Sequence, residues 1–250
     1  MYLELIDEFA AKGRYCFSFN EIAEKLDASP VAIKSALNRL KKKGELAVPY
    51  QEFYVILPPE HRVRGCLPPQ QFIPHLMHHL GEVYYTGLLS AAEFHGAAHH
   101  RPQVFQVVVA KARRPIECGQ IRVEFIFRKN AAVIPTEPRN TTAGIIQIST
   151  PEATALDLIG YVRHCAGLDN VATVLAELVE KIDIRQLAEV AALSPVAGHS
   201  ALVISLNYWG KTTKPMCLLI LYRAYISCRL PWFRDVISRE QRKTHDGRYL

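Results

Sequence analysis

At 250 residues the chain suits one large or two ordinary domains and is long enough to bury a real core. Its net charge of +6 lies wholly in the last stretch: from residue 199 onward there are nine Lys/Arg against three Asp/Glu, whereas residues 1–198 hold 21 of each sign. Overall basicity is a property of the tail and is therefore only weak evidence for a nucleic-acid partner. The longest apolar run of the tail, residues 216–222, is seven residues, far short of a membrane span.

Met1-Tyr2-Leu3 leads straight into an amphipathic, charged segment, so no signal pattern is expected and the protein reads as cytoplasmic. Residues 3–12 predict a first helix with Leu3, Ile6, Phe9 and Ala10 on one face. Ser18 caps a second helix, with Glu21 completing a capping box and Ile22, Ala23 and Leu26 inward. Ser29 and Pro30 are the N-cap and first-turn proline of a third helix. That helix buries Ile33, Leu37 and Leu40, then stops at Gly44 after Lys41-Lys42-Lys43. Residues 45–48 and 53–57 predict two short strands joined around Pro49-Tyr50. Three helices followed by a hairpin is the order of a winged helix-turn-helix, expected over residues 1–60. The third helix offers Ser29, Lys34, Ser35, Asn38, Arg39 and Lys42, residue types that contact phosphates and base edges. The plainer alternative is a three-helix domain whose lysines only solvate a helix end and complement its dipole.

Pro58-Pro59 and Pro68-Pro69 bracket a polar stretch with His61, Arg62 and Arg64, expected as a semi-rigid linker over 61–69. A helix is expected over 70–80. The stretch 84–110, YYTGLLSAAEFHGAAHHRPQVFQVVVA, is the hub of the larger domain. It is expected to start helical, with Leu88, Leu89, Ala92 and Glu93 at spacings of three and four. Gly96 and Pro102 stop the helix, and a β-branched run from Val104 to Val109 follows as a buried strand. The small residues Gly87, Ser90, Ala91 and Gly96 point to a second backbone close by. Further strands are expected at 121–128 and 144–149, with a short one at 131–134. Pro151 opens a helix capped by Ser149 or Thr150, and helices follow over 168–181 and 184–193. Strands first and helices later predict an α+β domain over 70–198 with a helical C-terminal half, not a doubly wound sheet.

Two segments carry a family resemblance. TGLLSAAEFHGAAHHRPQVFQVVV, within the hub, resembles the core signature of the AbiEi-type antitoxins of bacterial abortive-infection (type IV toxin–antitoxin) systems. STPEATALDLIGYVRHCAGLDNVATVLAELVEKID, residues 149–183, is similar to that family's other long motif. With the N-terminal helices the likeness covers roughly residues 1–198. It implies a module that binds double-stranded DNA at its own promoter, with inverted repeats expected, and represses it. It also implies a C-terminal domain that counters a nucleotidyltransferase-like toxin in phage defence.

Little in the sequence speaks for catalysis. His95, His99 and His100, with His75, His78 and His79 upstream, raise a metal site, but Gly96 interrupts the helical spacing and no carboxylate or cysteine stands at ligand spacing. His95 is expected as a packing or hydrogen-bonding residue at a helix end. Glu152 and Asp157 are five apart, close to opposite faces of a helix, and Glu152 is expected to act through capping and the helix dipole. There is no GxxxxGK[ST], GxSxG or HExxH, so no catalytic residue, cofactor or metal is expected. The competing class is an enzyme whose C-terminal domain modifies a partner protein or nucleotide. The six cysteines (16, 66, 118, 165, 217, 228) form no CxxC pair and read as reduced thiols.

From residue 199 the apolar and basic residues lose any period. Back-translated from Asn207 and read one base earlier, the tail permits ELLGKDDKTDVLAD, an amphipathic helix. Residues 199–250 are accordingly expected to be frameshifted or poorly ordered.

Overall fold

The computed structural model describes residues 2–26, 28–97 and 102–193. The tail, with its expected change of frame, and His99 and His100 lie outside the described residues. What is described is a mixed α+β protein with eight α-helices and two sheets among these residues. It falls into two compact units. One holds residues up to 86 with 102–132 and 137–148; the other holds 87–97, 133–136 and the described residues from 149.

The first unit opens with α1 (Tyr2–Ala11), β1 (Cys16–Ser18), α2 (Phe19–Lys25), α3 (Pro30–Lys42), β2 (Leu46–Tyr50) and β3 (Phe53–Ile56). The capping box at α2 forms as expected: Ser18 Oγ accepts from Glu21 N at 3.3 Å and Glu21 Oε2 accepts from Ser18 N at 2.8 Å. Phe9, Phe17, Ile22, Ile33, Leu37, Leu40 and Leu46 close one apolar core, each 5% exposed or less. Burying a side chain of that size contributes about 1.5–3 kcal/mol. The three strands pair antiparallel in the order β1-β3-β2, with Cys16 opposite Val55. Pro49 and Tyr50, expected as the turn, instead belong to β2, and the reversal is made by Gln51 and Glu52, whose φ is 57°. The register shifts between Ala47 and Tyr50, an irregularity that lets Pro49, without an N–H, sit in the strand.

The larger sheet follows α4 (Pro69–Leu80), which ends at Gly81 in the left-handed region, φ 63°. Its strands are β4 (Tyr84–Thr86), β5 (Phe105–Val109), β6 (Ile116–Cys118), β7 (Ile121–Phe127), β8 (Thr136–Thr141) and β9 (Gly144–Ser149), in the order β6-β7-β5-β4-β9-β8. β5 runs antiparallel to β4 and parallel to β7, while β4 runs parallel to β9. All five residues of β5 are buried, as its β-branched run requires of a central strand. At one edge lies β8, TEPRNT, largely exposed and carrying an Arg139–Glu137 ion pair at 2.9 Å.

Two expectations fail in this region. The hub does not start helical: residues 84–86 are a strand, and Gly87 is extended (φ −126°, ψ −174°) before α5 (Leu88–Phe94) begins. Tyr85 is the reason, since its fully buried ring packs in the sheet and its hydroxyl accepts from Arg128 at 3.3 Å. The apolar residues 131–134 make no strand; Ala131–Val133 is a 3-10 turn in which Ala131 N donates to Arg128 O at 3.0 Å.

In the second unit α5 packs on α6 (Pro151–Gly160) and α7 (Leu168–Leu178), and α6 packs on α8 (Ile184–Leu193). Ala91 and Ala92 are fully buried where α5 packs on α6, but at Gly96 a Cβ would meet only the Lys181 side chain, at 3.7 Å, and no backbone. Thr150, rather than Ser149, caps α6 by accepting from Ala153 N at 3.4 Å. The helix expected over 168–181 is α-helical only to Leu178 and tightens into a 3-10 turn, Val179–Lys181.

Candidate nucleic-acid interface

Sequence dictates both faces of α3. Ser29 holds extended dihedrals (φ −65°, ψ 147°), accepts from Ala32 N at 3.3 Å and is followed by Pro30 at the first turn. Ile33, Ala36, Leu37 and Leu40 are buried against α1, α2 and the hairpin, so the opposite face is left to solvent. Ser29, Lys34, Ser35, Asn38, Arg39 and Lys42 are all exposed. Arg39, Lys41 and Lys42 stand in the last turn, with no acidic residue in the first.

Besides the Ser29 cap, two of the basic side chains are engaged. Lys34 Nζ lies 3.9 Å from Glu52 Oε1 at the hairpin tip and 5.1 Å from the centre of the Phe19 ring. Arg39 folds back along the helix, its Nε donating to Ser35 O at 3.4 Å. Sequence reasoning missed Val31, which is 75% exposed and falls at i, i+4 and i+7 with Ser35 and Asn38 on one stripe. The 3.6-residue period was the available signal, because no other exposed residue of this helix is strongly apolar.

The histidines divide. His75, His78 and His79 of α4 line a cavity of about 320 Å³ with Arg14, Glu21 and Phe53. Several of its groups are partnered: Arg14 pairs with Glu21, His75 Nε2 lies 3.3 Å from Ala143 O, and His79 packs on Phe53 with ring centres 5.7 Å apart. His95 is 2% exposed at the end of α5, and its Nε2 bonds Ser149 O at 2.8 Å, the hydrogen-bonding role expected of it. Among the described residues no group of three or more His, Cys, Asp or Glu is placed to hold a metal ion.

The polar residues of the second unit tie segments together. Ser149 Oγ lies 2.6 Å from Thr154 Oγ1, and Lys181 donates to His95 O at the end of α5. Glu152 differs from expectation. It is 3% exposed, and its Oε1 accepts from Asp183 N at 2.9 Å, satisfying backbone just before α8 rather than serving α6 alone. Asp157 is also buried, at 1%.

Residues 85–207 match the family described as the AbiEi antitoxin C-terminal domain. The chain belongs to the AbiEi-type antitoxins. The AbiEi match contains both segments quoted above, the one in the hub and the one at residues 149–183, and ends at residue 207. No curated protein matches the chain. Among solved structures, the RV2827C protein from Mycobacterium tuberculosis is similar in fold, with a TM-score of 0.59 at 15% identity. That similarity covers 87% of this chain and 79% of the other. Among the described residues of this AbiEi protein no helix is long and apolar enough to cross a membrane.

Proposed function

We propose that this AbiEi-type antitoxin represses its own promoter and counters a nucleotidyltransferase-like toxin of a type IV toxin–antitoxin system. In this reading residues 1–60 are a winged helix-turn-helix, with β2 and β3 as the wing, and residues 70–198 hold the antitoxin activity. The observation that carries the DNA half is α3: one side seals the core, while the other exposes a stripe of short polar and basic side chains. Laid in a major groove, Asn38 suits the N6/N7 edge of adenine, Arg39 the O6/N7 edge of guanine and Val31 a thymine methyl. Lys34 and Lys42 suit phosphates, which set register and affinity without reading sequence. The antitoxin half rests on the family match.

The test is a mobility shift of the full chain on its own promoter at several salt concentrations. Binding that steepens with falling salt and disappears in an Asn38→Ala/Arg39→Ala/Lys42→Ala variant supports the assignment; unchanged binding in that variant removes it. Co-expression of the full chain with the cognate toxin tests the other half, and growth arrest that the antitoxin fails to relieve would reject it.

A further inference from the structure

Cys66 and Cys118 share no sequence motif, yet the fold brings their thiols together. Cys118 ends β6 and Gly119 (φ 59°) turns the chain into β7; Cys66 follows Gly65 (φ 70°), whose N–H closes a turn on His61 O at 3.1 Å. The two glycines meet backbone to backbone. A Cβ on Gly119 would lie 2.1 Å from Arg64 O, and one on Gly65 would lie 3.0 Å from Gly119 Cα. Gln120 N pins the contact by donating to Arg64 O at 2.8 Å. Because each cysteine adjoins one of these glycines, the approach of the backbones makes the two cysteines neighbours, close enough for each thiol to shift the other's ionisation.

The surroundings make the two sulfurs unequal. Cys66 is fully buried, whereas Cys118 is partly open to solvent. The Cys66 thiol, the backbone N–H of Val48 in β2 and the positive charge of Lys41 near the end of α3 all favour Cys118 as a thiolate. As a thiol it donates to Gly65 O at 3.8 Å. These influences, the Cys66 thiol foremost, outweigh burial and bring the Cys118 thiol down to about 7, and the Cys118 neighbour together with burial pushes Cys66 well up. Cys16 shows the contrary case: its burial raises the thiol to about 12.

We propose that Cys118 and Cys66 form a peroxide-oxidisable dithiol, Cys118 the nucleophile and Cys66 the resolving thiol. The Cys118 thiolate attacks one oxygen of a hydroperoxide; the O–O bond breaks, an S–O bond forms, and hydroxide or alkoxide leaves. Sulfur has then given two electrons to the peroxide and stands as a sulfenic acid. Cys66 attacks that sulfur, the S–S bond forms as the S–O bond breaks, and the departing hydroxide takes the Cys66 proton as water. The products are one disulfide and two hydroxyl compounds, water alone when the oxidant is hydrogen peroxide. The site lies among Val48, Lys41 and Gly65, so its oxidation falls beside the hairpin and the end of α3.

The experiment uses the full reduced chain. At neutral pH, timed alkylation followed by peptide mass mapping should label Cys118 faster than Cys16 by about tenfold or more, as a thiolate-rich sulfur requires. A few equivalents of hydrogen peroxide should join the Cys66 and Cys118 peptides with loss of two hydrogens, and dithiothreitol should reverse it. In Cys66→Ser, dimedone should trap Cys118 as the sulfenic acid. Peroxide-treated wild type in which both thiols still alkylate freely, or a Cys118 no faster than Cys16, overturns the proposal without recourse to any variant.

Discussion

Arg113 donates its Nε–H to Glu82 at 2.7 Å, and the pair is well shielded, the two side chains being 16% and 6% exposed. The same guanidinium donates to the Tyr50 hydroxyl at 2.8 Å, so one cation fastens the strand β2 and the turn after α4 to the loop following β5. The Arg113 hydrogen bond holds the Glu82 carboxyl below the usual carboxylate range against the opposing effect of burial. Because the folded carboxyl is depressed, its stabilisation is complete above the unfolded pKa and is lost as pH falls through the folded one. Glu82→Gln should therefore lower stability at neutral pH by roughly 2 kcal/mol, and the gap to wild type should begin to narrow as pH falls below the unfolded value of about 4.3. Urea unfolding of both proteins at pH 7 and pH 3.5 checks this; an equal gap at both would mean the charge is irrelevant.

Glu152 tests the second unit. Its carboxylate is buried and receives Asp183 N, so Glu152→Ala leaves that N–H without its acceptor and should cost about 2 kcal/mol. Glu152→Gln keeps an acceptor oxygen and should cost less. Thermal unfolding of the two variants ranks them, and the reverse order would show that packing volume, not the hydrogen bond, matters here.

Glycines separate strain from crowding. Gly13 (φ 70°) has nothing within 4 Å of a would-be Cβ, whereas Gly119 (φ 59°) would press one onto Arg64 O at 2.1 Å. Gly13→Ala should cost about 1–2 kcal/mol from the left-handed backbone alone. Gly119→Ala adds overpacking and should cost roughly 3–5 kcal/mol. Chemical denaturation of both decides, and similar losses would mean that the 64–66 turn moves away easily.

On α3 the single variants should separate reading from anchoring. Asn38→Ala and Arg39→Ala should each lose about 1–3 kcal/mol of operator affinity and relax specificity. Lys42→Ala should weaken all DNA alike and reduce the salt slope by about one. Competition binding with operator and scrambled duplexes measures both, and a uniform loss from Arg39→Ala would move that residue to the phosphates.

The helices were readable because their signals are local. Ser18 with Glu21, Ser29 with Pro30 and Thr150 with Pro151 mark three starts, and the hydrogen bonds form where these pairs placed them. What escaped the reading is held by distant partners. Residues 16–18 become β1 only because Phe53, Tyr54 and Val55 lie opposite. Tyr84-Tyr85-Thr86 was absorbed into the helical period that really begins at Leu88, since the pairing of Tyr85 with Val108 leaves no local trace. The polar TEPRNT shows no alternation, while the apolar residues 131–134 mimic a strand and form a turn. The α3 surface was legible from its period apart from Val31. The Cys66–Cys118 meeting was not, because a glycine beside each cysteine is no motif until the fold joins them.

The exposed edge strand β8 has a consequence for how the molecule behaves at high concentration. Beneath the surface the sheet holds strands such as FQVVV and GIIQIS, whose composition invites stacking between molecules. A second chain approaching β8 would find Pro138 supplying no donor, and Glu137 and Arg139 would have to exchange each other for a less hydrated setting. A strand that contributes little to the interior thus acts as a gatekeeper for colloidal stability. Replacing Pro138 and Arg139 with valine would leave the core untouched and make the folded protein stick to itself.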